Sequence, residues 1–329
     1  MRKLRWGVLS TARIGMNAVV PALQMCRNGE VVAIASREQV KAEAAAARLG
    51  IATAHGSYEA LLADPQVEAV YNPLPNHLHV PWSIQALEAG KHVLCEKPIA
   101  LNAAEAVQLI QAARLRRELK VMEAFMYRFH PQWLTIRELL AAGQIGRLTT
   151  IYSTFTYHNL NPEDYRNVPE YGGGGLLDIG CYSISSSRWL FGAEPRRVFG
   201  HVEYDPTFKI DRLASAILDF GVGSATFTCA TQVPPDQCQD LYGTLGRIAI
   251  EAPFTPPPDG PACARLHTLD ETRQLISPAA NQYQLMGEAF AEAVFSGAEV
   301  PTPLEDAHAN LKVIDAVFES GELGRWVSL

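Results

Sequence analysis

No apolar run in this chain approaches the roughly 18 residues that a membrane-spanning helix requires. Its basic N-terminus passes straight into "LRWGVLS", with neither an apolar leader region nor a small-residue cleavage site, so a cytoplasmic location is expected. Excess positive charge is also missing: the formal net charge is −7, which provides no global field for nucleic acid or an anionic membrane. The densest basic run, "RLRREL" from Arg114, reads as a solvated helix end. Cys26, Cys95, Cys181, Cys229, Cys238 and Cys263 include no CxxC pair, which suits buried reduced thiols better than a disulfide framework. "NHLH" offers His77 and His79 but no thiol or carboxylate at ligand spacing, so no metal is expected. Two further absences are more informative. The glycine-rich fingerprint of dinucleotide-binding loops is incomplete, and a carboxylate is missing where that fold usually carries one.

What is present divides into two patterns. Over residues 1–124, short apolar runs alternate with amphipathic stretches. The strand candidates are "LRWGVLS", "VVAIAS", "ATAHG", "VEAVYNPL", "KHVLCEK" and "KVMEAF". The helix candidates include "QVKAEAAAARLG", "SYEALLAD", "HVPWSIQALEAG" and "NAAEAVQLIQAARLR", with Ser57 and Asn102 as N-caps and Gly29, Gly50 and Gly90 as stops. This alternation predicts an α/β domain with a doubly wound parallel sheet. Residues 125–329 change pattern: the helix "HPQWLTIRELLAAG" precedes long segments alternating at period two, such as "RLTTIYSTFTYH", "DRLASAILDF" and "GSATFTCATQ". They predict a second α/β domain with a large, open, mostly antiparallel sheet, closed by two C-terminal helices. An exposed alternating face such as "TTIYSTFTYH" suggests a homodimer or homotetramer.

The incomplete fingerprint is "GVLSTARIG", where the three glycine slots read Ser10, Ala12 and Gly15. It lies between a strand and a helix, and its small residues let backbone N–H groups approach a pyrophosphate. The loop Ser10, Thr11, Ala12, Arg13 and Ile14 is therefore a candidate phosphate cradle. Roughly twenty residues further on, NAD-binding chains place Asp or Glu on the adenosine ribose. Here the strand "VVAIAS" ends in Ser36 and Arg37. A carboxylate repels a 2′-phosphate, whereas a hydroxyl and a guanidinium bind one, so NADP(H) is expected over NAD(H).

Two more segments stand at the carboxyl ends of expected parallel strands, where open α/β sheets bind ligands: "NPLPNHLH" (72–79) and "GKHVLCEKPIAL" (90–101). With the degenerate loop, "PNHLH", "EKP", "EAFMYRFHP" and "GGGGLLDIGCYSI", nearly the whole chain resembles the glucose–fructose oxidoreductase/inositol dehydrogenase/rhizopine (Gfo/Idh/MocA) family. The resemblance implies a Rossmann domain followed by an α/β domain whose open sheet often forms the oligomer interface. It implies that Lys97 lies beside the nicotinamide, commonly with a cis Lys97–Pro98 bond. It places Asn76 and the Glu96 backbone around the nicotinamide ribose, Pro73, Leu74 and His79 among the cofactor-binding residues, and Arg166 of "DYRN" near the cofactor.

The second domain supplies the expected partner for Lys97. Asp178 and Tyr182 are four residues apart and share a helix face after a flexible glycine run. The inositol dehydrogenase branch has histidine at the Tyr182 position; tyrosine resembles the glucose–fructose oxidoreductase, dihydrodiol dehydrogenase and NADP-xylose dehydrogenase branches. Hydride transfer at a carbinol needs a proton acceptor, and reduction needs a donor. A phenol serves better with an ammonium within about 4–6 Å, so Tyr182 is the expected acid/base, assisted by Lys97 and oriented by Asp178. His130, Tyr157, His158, Tyr165 and Arg166 are candidates to line a polyol cleft. The expected activity is an NADP(H)-dependent dehydrogenase or reductase acting on a sugar or related polyol, of the aldose 1-dehydrogenase kind. Rivals are a trans-dihydrodiol dehydrogenase or dicarbonyl reductase, a hydride shuttle with tightly held NADP, and a silent NADP sensor.

Overall fold

In the computed structural model, which describes residues 2–329, six short strands form one parallel sheet. They are β1 (Leu4–Leu9), β2 (Gly29–Ala35), β3 (Thr53–His55), β4 (Ala69–Asn72), β5 (His92–Cys95) and β6 (Val121–Glu123). Their order is β3-β2-β1-β4-β5-β6. The chain therefore winds outward from β1 in both directions, and the strand order reverses between β1 and β4. The connecting helices are α1 (Val20–Met25), α2 (Gln39–Leu49), α3 (Tyr58–Leu62), α4 (His79–Glu88) and α5 (Ala103–Arg114). Two of the expected caps are made: Ser57 Oγ accepts from Ala60 N at 3.1 Å and Asn102 Oδ1 from Glu105 N at 2.8 Å. Gly50 and Gly90 take positive φ at helix ends. Gly29 instead opens β2, because α1 already stops at Met25.

The second sheet has nine strands, ordered β14-β13-β12-β11-β7-β10-β9-β8-β15. In chain order these are β7 (Leu148–His158), β8 (Arg197–Tyr204), β9 (Asp211–Asp219), β10 (Ser224–Ala230), β11 (Gln232–Gly243), β12 (Gly246–Ile250), β13 (Ala262–Thr268), β14 (Thr272–Ser277) and β15 (Val327–Ser328). All pairings are antiparallel except β7 with β10. The helices α6 (Pro131–Ala141) and α7 (Cys181–Phe191) belong to this unit. One face of the sheet packs on α7 through apolar contacts such as Phe155 with Tyr182 at 5.6 Å, joined by buried hydrogen bonds: Ser153 with Ser183 at 2.8 Å, and Gln239 Nε2 donating to Ser186 Oγ at 2.9 Å. The other face is open, with a shallow depression of about 360 Å³ lined by residues that include Tyr152, Phe199, Ile217 and Cys238.

The chain divides into two units at different points from the sequence boundary at 124/125. One unit comprises residues up to Met126 together with Asn281–His308; the other comprises Tyr127–Ala280 and Ala309–Leu329. Helix α8 (Gln282–Ser296), expected in the second domain, thus packs on the first sheet's layer. Its buried positions Met286, Phe290 and Ala293 follow helical spacing, and Phe290 meets Trp6 of β1 at a 5.2 Å centroid distance. Gly287 lets α8 approach α1 closely, since a Cβ there would stand 2.5 Å from Leu23 Cδ2. The last helix, α9 (Leu304–Leu323), contains the second unit boundary.

Candidate active site

The nucleotide end of the first unit is built where β1 stops. Ser10 holds φ +87°, the left-handed region that the first glycine of a full fingerprint normally supplies. The residue departs from glycine while its backbone keeps the glycine conformation. Ser10 Oγ accepts from Ala12 N at 3.2 Å, which favours the turn, and Ser10 N donates to Ala35 O at 3.1 Å. Thr11, Ala12 and Ile14 are partly accessible and Arg13 is exposed; Gly15 opens a π-helical turn, Gly15–Val19, that runs into α1. At the adjacent strand end, Ser36 is 7% exposed and Arg37 is exposed. Ser36 Oγ accepts only a long 3.4 Å contact from Glu38 N, leaving its proton for an acceptor. The Arg37 guanidinium lies beside the Tyr58 phenol, which burial pushes up and Arg37 draws back down. Small residues at a strand-to-helix turn, with a hydroxyl and a cation one strand away, fit a phosphorylated dinucleotide.

Between the carboxyl ends of β4 and β5 the backbone is fixed by side chains. Asn72 Nδ2 donates to His79 O and Ser83 Oγ, while its Oδ1 accepts from Leu74 N. Pro73 and Leu74 are buried, as is Asn76, which opens a short 3-10 turn. The Lys97–Pro98 bond is cis, as the resemblance implied. His79 bridges two backbone segments of this site. Its ring is fully buried, with Nδ1 2.7 Å from Pro98 O and Nε2 2.7 Å from Leu74 O, and burial pushes its pKa down to about 4. A neutral ring donates to one of these two carbonyls and lies against the other, so His79 staples the 74 loop to the Lys97–Pro98 turn.

Glu96 contributes more than the expected backbone contact. Its side chain accepts from the Tyr71 phenol at 2.8 Å and from Lys97 N at 3.3 Å. Burial, then the Glu96 carboxylate, pushes the Tyr71 phenol well up, so it remains a donor. Tyr283 of α8 joins them: burial raises it, Glu96 adds to the rise and Lys97 opposes it. Neither tyrosine was visible as a site residue, since Tyr71 sits in an apolar strand and Tyr283 is 186 positions beyond Lys97 in the chain.

In the second unit, Tyr182 lies on the first turn of α7, 5% exposed and surrounded by the rings of Phe254, Phe155 and Tyr127 at 5.3, 5.6 and 5.9 Å. Asp178 precedes it in a π-helical turn, Leu176–Gly180, and is 6% exposed. Its Oδ2 accepts from Tyr157 Oη at 2.8 Å and from Arg166 Nε at 2.9 Å. The Asp178 carboxylate is the largest cause holding the Arg166 guanidinium above its ordinary range. Burial, then Asp178, also raises the Tyr157 phenol. Arg166 and Tyr157, expected as cofactor and cleft residues, thus converge on Asp178. His130 is fully buried and caps α6, its Nδ1 accepting from Gln132 N at 3.2 Å; His158 is exposed at the end of β7. No cluster of potential metal ligands occurs among the described residues.

Residues 4–125 match a family described as "Oxidoreductase family, NAD-binding Rossmann fold", and residues 133–249 match the "GFO/IDH/MocA C-terminal domain". The chain is 44% identical to an uncharacterized oxidoreductase, ORF334, of Rhizobium meliloti, over 99% of each chain. It is 37% identical to D-xylose 1-dehydrogenase (NADP(+)) 2 of Haloferax volcanii, over 99% of this chain and 100% of the relative. A similar fold, with TM-score 0.91 and 33% identity over 97% of this chain and 98% of the other, occurs in KijD10. That protein is a 3-ketoreductase from Actinomadura kijaniata, whose crystal structure is in complex with NADP and TDP-benzene.

Proposed function

The chain belongs to the GFO/IDH/MocA oxidoreductase family, and from that premise we propose that it is an NADP(H)-dependent enzyme acting on a carbinol or carbonyl carbon of a sugar or related polyol. The observation that carries this reading is the likeness, along nearly the whole chain, to a D-xylose 1-dehydrogenase (NADP(+)), in a chain that carries Lys97 at a cis Lys–Pro turn after β5 and Tyr182 at the start of α7. When bound, the nicotinamide supplies or accepts the hydride.

The chain's own residues do the rest. Ser36 and Arg37 bond the adenosine 2′-phosphate; the Ser10–Ile14 loop presents backbone N–H groups to the pyrophosphate. Pro73, Leu74 and Asn76 shape the ribose side, with Glu96 fixed by Tyr71 so that Lys97 starts from a rigid backbone. Tyr182 gives a proton to the substrate oxygen on reduction and takes it on oxidation, and the Lys97 ammonium makes the phenolate accessible. Phe155, the partly accessible ring among those around Tyr182, offers an aromatic wall suited to the C–H face of a sugar, backed by the fully buried Phe254. Asp178, held by Tyr157 and Arg166, orients a substrate hydroxyl or the Lys97 ammonium. A location in the cytoplasm and pairing of copies through the open face around Tyr152 and Ile217 complete the reading.

Tyr182→Phe and Lys97→Met test it. Each should keep NADPH affinity within about twofold and lose turnover by roughly a hundred- to ten-thousandfold, the usual contribution of general acid–base catalysis. Retained turnover in either variant removes that residue from its role. The same aromatic wall favours one rival substrate class, a trans-dihydrodiol, which a substrate panel separates from sugars.

A further inference from the structure

The glycine run before the catalytic helix was expected to be flexible, and the structure shows instead what it is shaped around. Asp211, the first residue of β9, is 3% exposed, and its Oδ2 accepts from Leu176 N at 2.6 Å. Gly175 N also bonds the carboxylate. Gly174 holds φ +115°, and a Cβ on it would stand 1.8 Å from Asp211 Oδ1. Only glycine leaves room for this carboxylate. Gly174 N in turn donates to Arg166 O at 2.9 Å, and a Cβ on Gly173 would stand 2.4 Å from the same oxygen. The strand β9, the Arg166 turn and the start of the helix are thereby locked together, two residues before Asp178 and six before Tyr182 in the chain.

We propose that Asp211 is a positioning residue: its buried carboxylate clamps the first N–H groups of the helix and so fixes where Asp178 and Tyr182 stand during the reaction. The inference rests on the assignment of Tyr182 above. An anion at a helix N-terminus is favoured by the unpaired N–H groups and the helix dipole, and a carboxylate holds them more firmly than a neutral acceptor. The ionisation of this group falls in a working range, because burial pushes its pKa up to about 7 despite the N–H bonds, with Asp178 adding to the rise. The groups that face it contribute little competing charge: Cys229 on β10 is pushed well up by burial, Tyr204 on β8 is raised as well, Asp178 is paired with Arg166, and the neighbouring Arg212 pairs with Glu203. Protonation of Asp211 therefore loosens the helix start, and turnover should decline on the acid side of about pH 7.

Asp211→Asn is nearly isosteric and keeps one acceptor oxygen. It should retain its fold and NADPH affinity, lower kcat roughly ten- to a hundredfold with little change in KM, and flatten the acid limb of the kcat profile; misplacement of about 1 Å commonly has an effect of this size. Asp211→Glu, which keeps the charge, should restore part of the loss. Wild-type kcat with an unchanged profile in Asp211→Asn, beside an inactive Tyr182→Phe, overturns the clamp alone; an active Tyr182→Phe overturns the proton-transfer reading beneath it. Should Asp211→Asn fail to fold, the wild-type enzyme decides. In local opening that frees the helix start while Asp211 stays buried on β9, ionisation strengthens the closed state, so the exchange protection of the Leu176 amide should rise roughly tenfold as the pH increases through about 7, and a flat or falling protection profile overturns the clamp.

Discussion

Replacing Arg37 with alanine isolates the basis of cofactor choice. The guanidinium stands at the exposed end of β2 beside Tyr58, and Ser36 next to it offers a hydroxyl proton. Hydrogen bonds to charged groups contribute about 1.5–3 kcal/mol, whereas fully exposed ion pairs contribute about 0.2–1 kcal/mol. Arg37 is solvated but would engage a doubly charged phosphate, so about 1–2 kcal/mol is the expected loss, or roughly 5–30-fold in Kd for NADPH. NADH lacks the phosphate, so its Kd should change by less than about twofold. Arg37→Asp should go further, because the carboxylate repels the phosphate and can accept from ribose hydroxyls, which narrows or reverses the preference. Fluorescence titration of both variants with both cofactors measures this. An Arg37→Ala protein whose NADPH affinity is unchanged, or whose NADH affinity falls equally, would refute the assignment of this strand end to the 2′-phosphate.

Other outcomes follow from the same geometry. Tyr58→Phe removes the phenol that steadies Arg37 and should weaken NADPH binding a few-fold while leaving NADH alone, read by the same titration. Phe290→Ala, in the helix returned to the first unit, should lower stability by about 3–5 kcal/mol in denaturant unfolding, since the ring is fully buried against Trp6. A loss below about 1 kcal/mol would mean that α8 does not complete that core. Asp211 has a folded pKa of about 7 against an ordinary 3.8, so folding favours its protonated form and its contribution falls as pH rises between those values. The stability of wild type relative to Asp211→Asn should accordingly fall across that window, by on the order of a few kcal/mol.

Much of this arrangement was legible because its signals are local. The strand ends carrying Ser36-Arg37 and Glu96-Lys97 were set by short apolar runs, and Ser57 and Asn102 announced their helices through side-chain caps. The loop at Ser10 was legible by context although two of its three fingerprint glycines are replaced, because position in the strand-turn-helix unit fixes the backbone. Strand β11 was hidden: Pro234 and Pro235 argue against a strand inside a sheet, yet both fall within the register break between Gln232 and Asp236, where β7 demands no ladder bond from them. The hairpin of β13 and β14 was lost behind the proline-rich loop that precedes it. Helix α8 was recognised, but an amphipathic face does not state which core it covers. The partnerships of Glu96 with Tyr71, of Asp178 with Tyr157 and Arg166, and of Leu176 with Asp211 join residues 12–35 positions apart, and single-sequence patterning carries no signal at that range.

The most direct test is a panel of aldoses, polyols, trans-dihydrodiols and keto sugars, followed by nicotinamide absorbance with NADP⁺ and NADPH and again with NAD⁺ and NADH. Turnover of at least one sugar or polyol, faster with the phosphorylated cofactor, is the predicted result. Tight NADPH binding with no turnover across the panel would make the protein a sensor, and equal rates with NAD(H) would leave Arg37 without its assigned task.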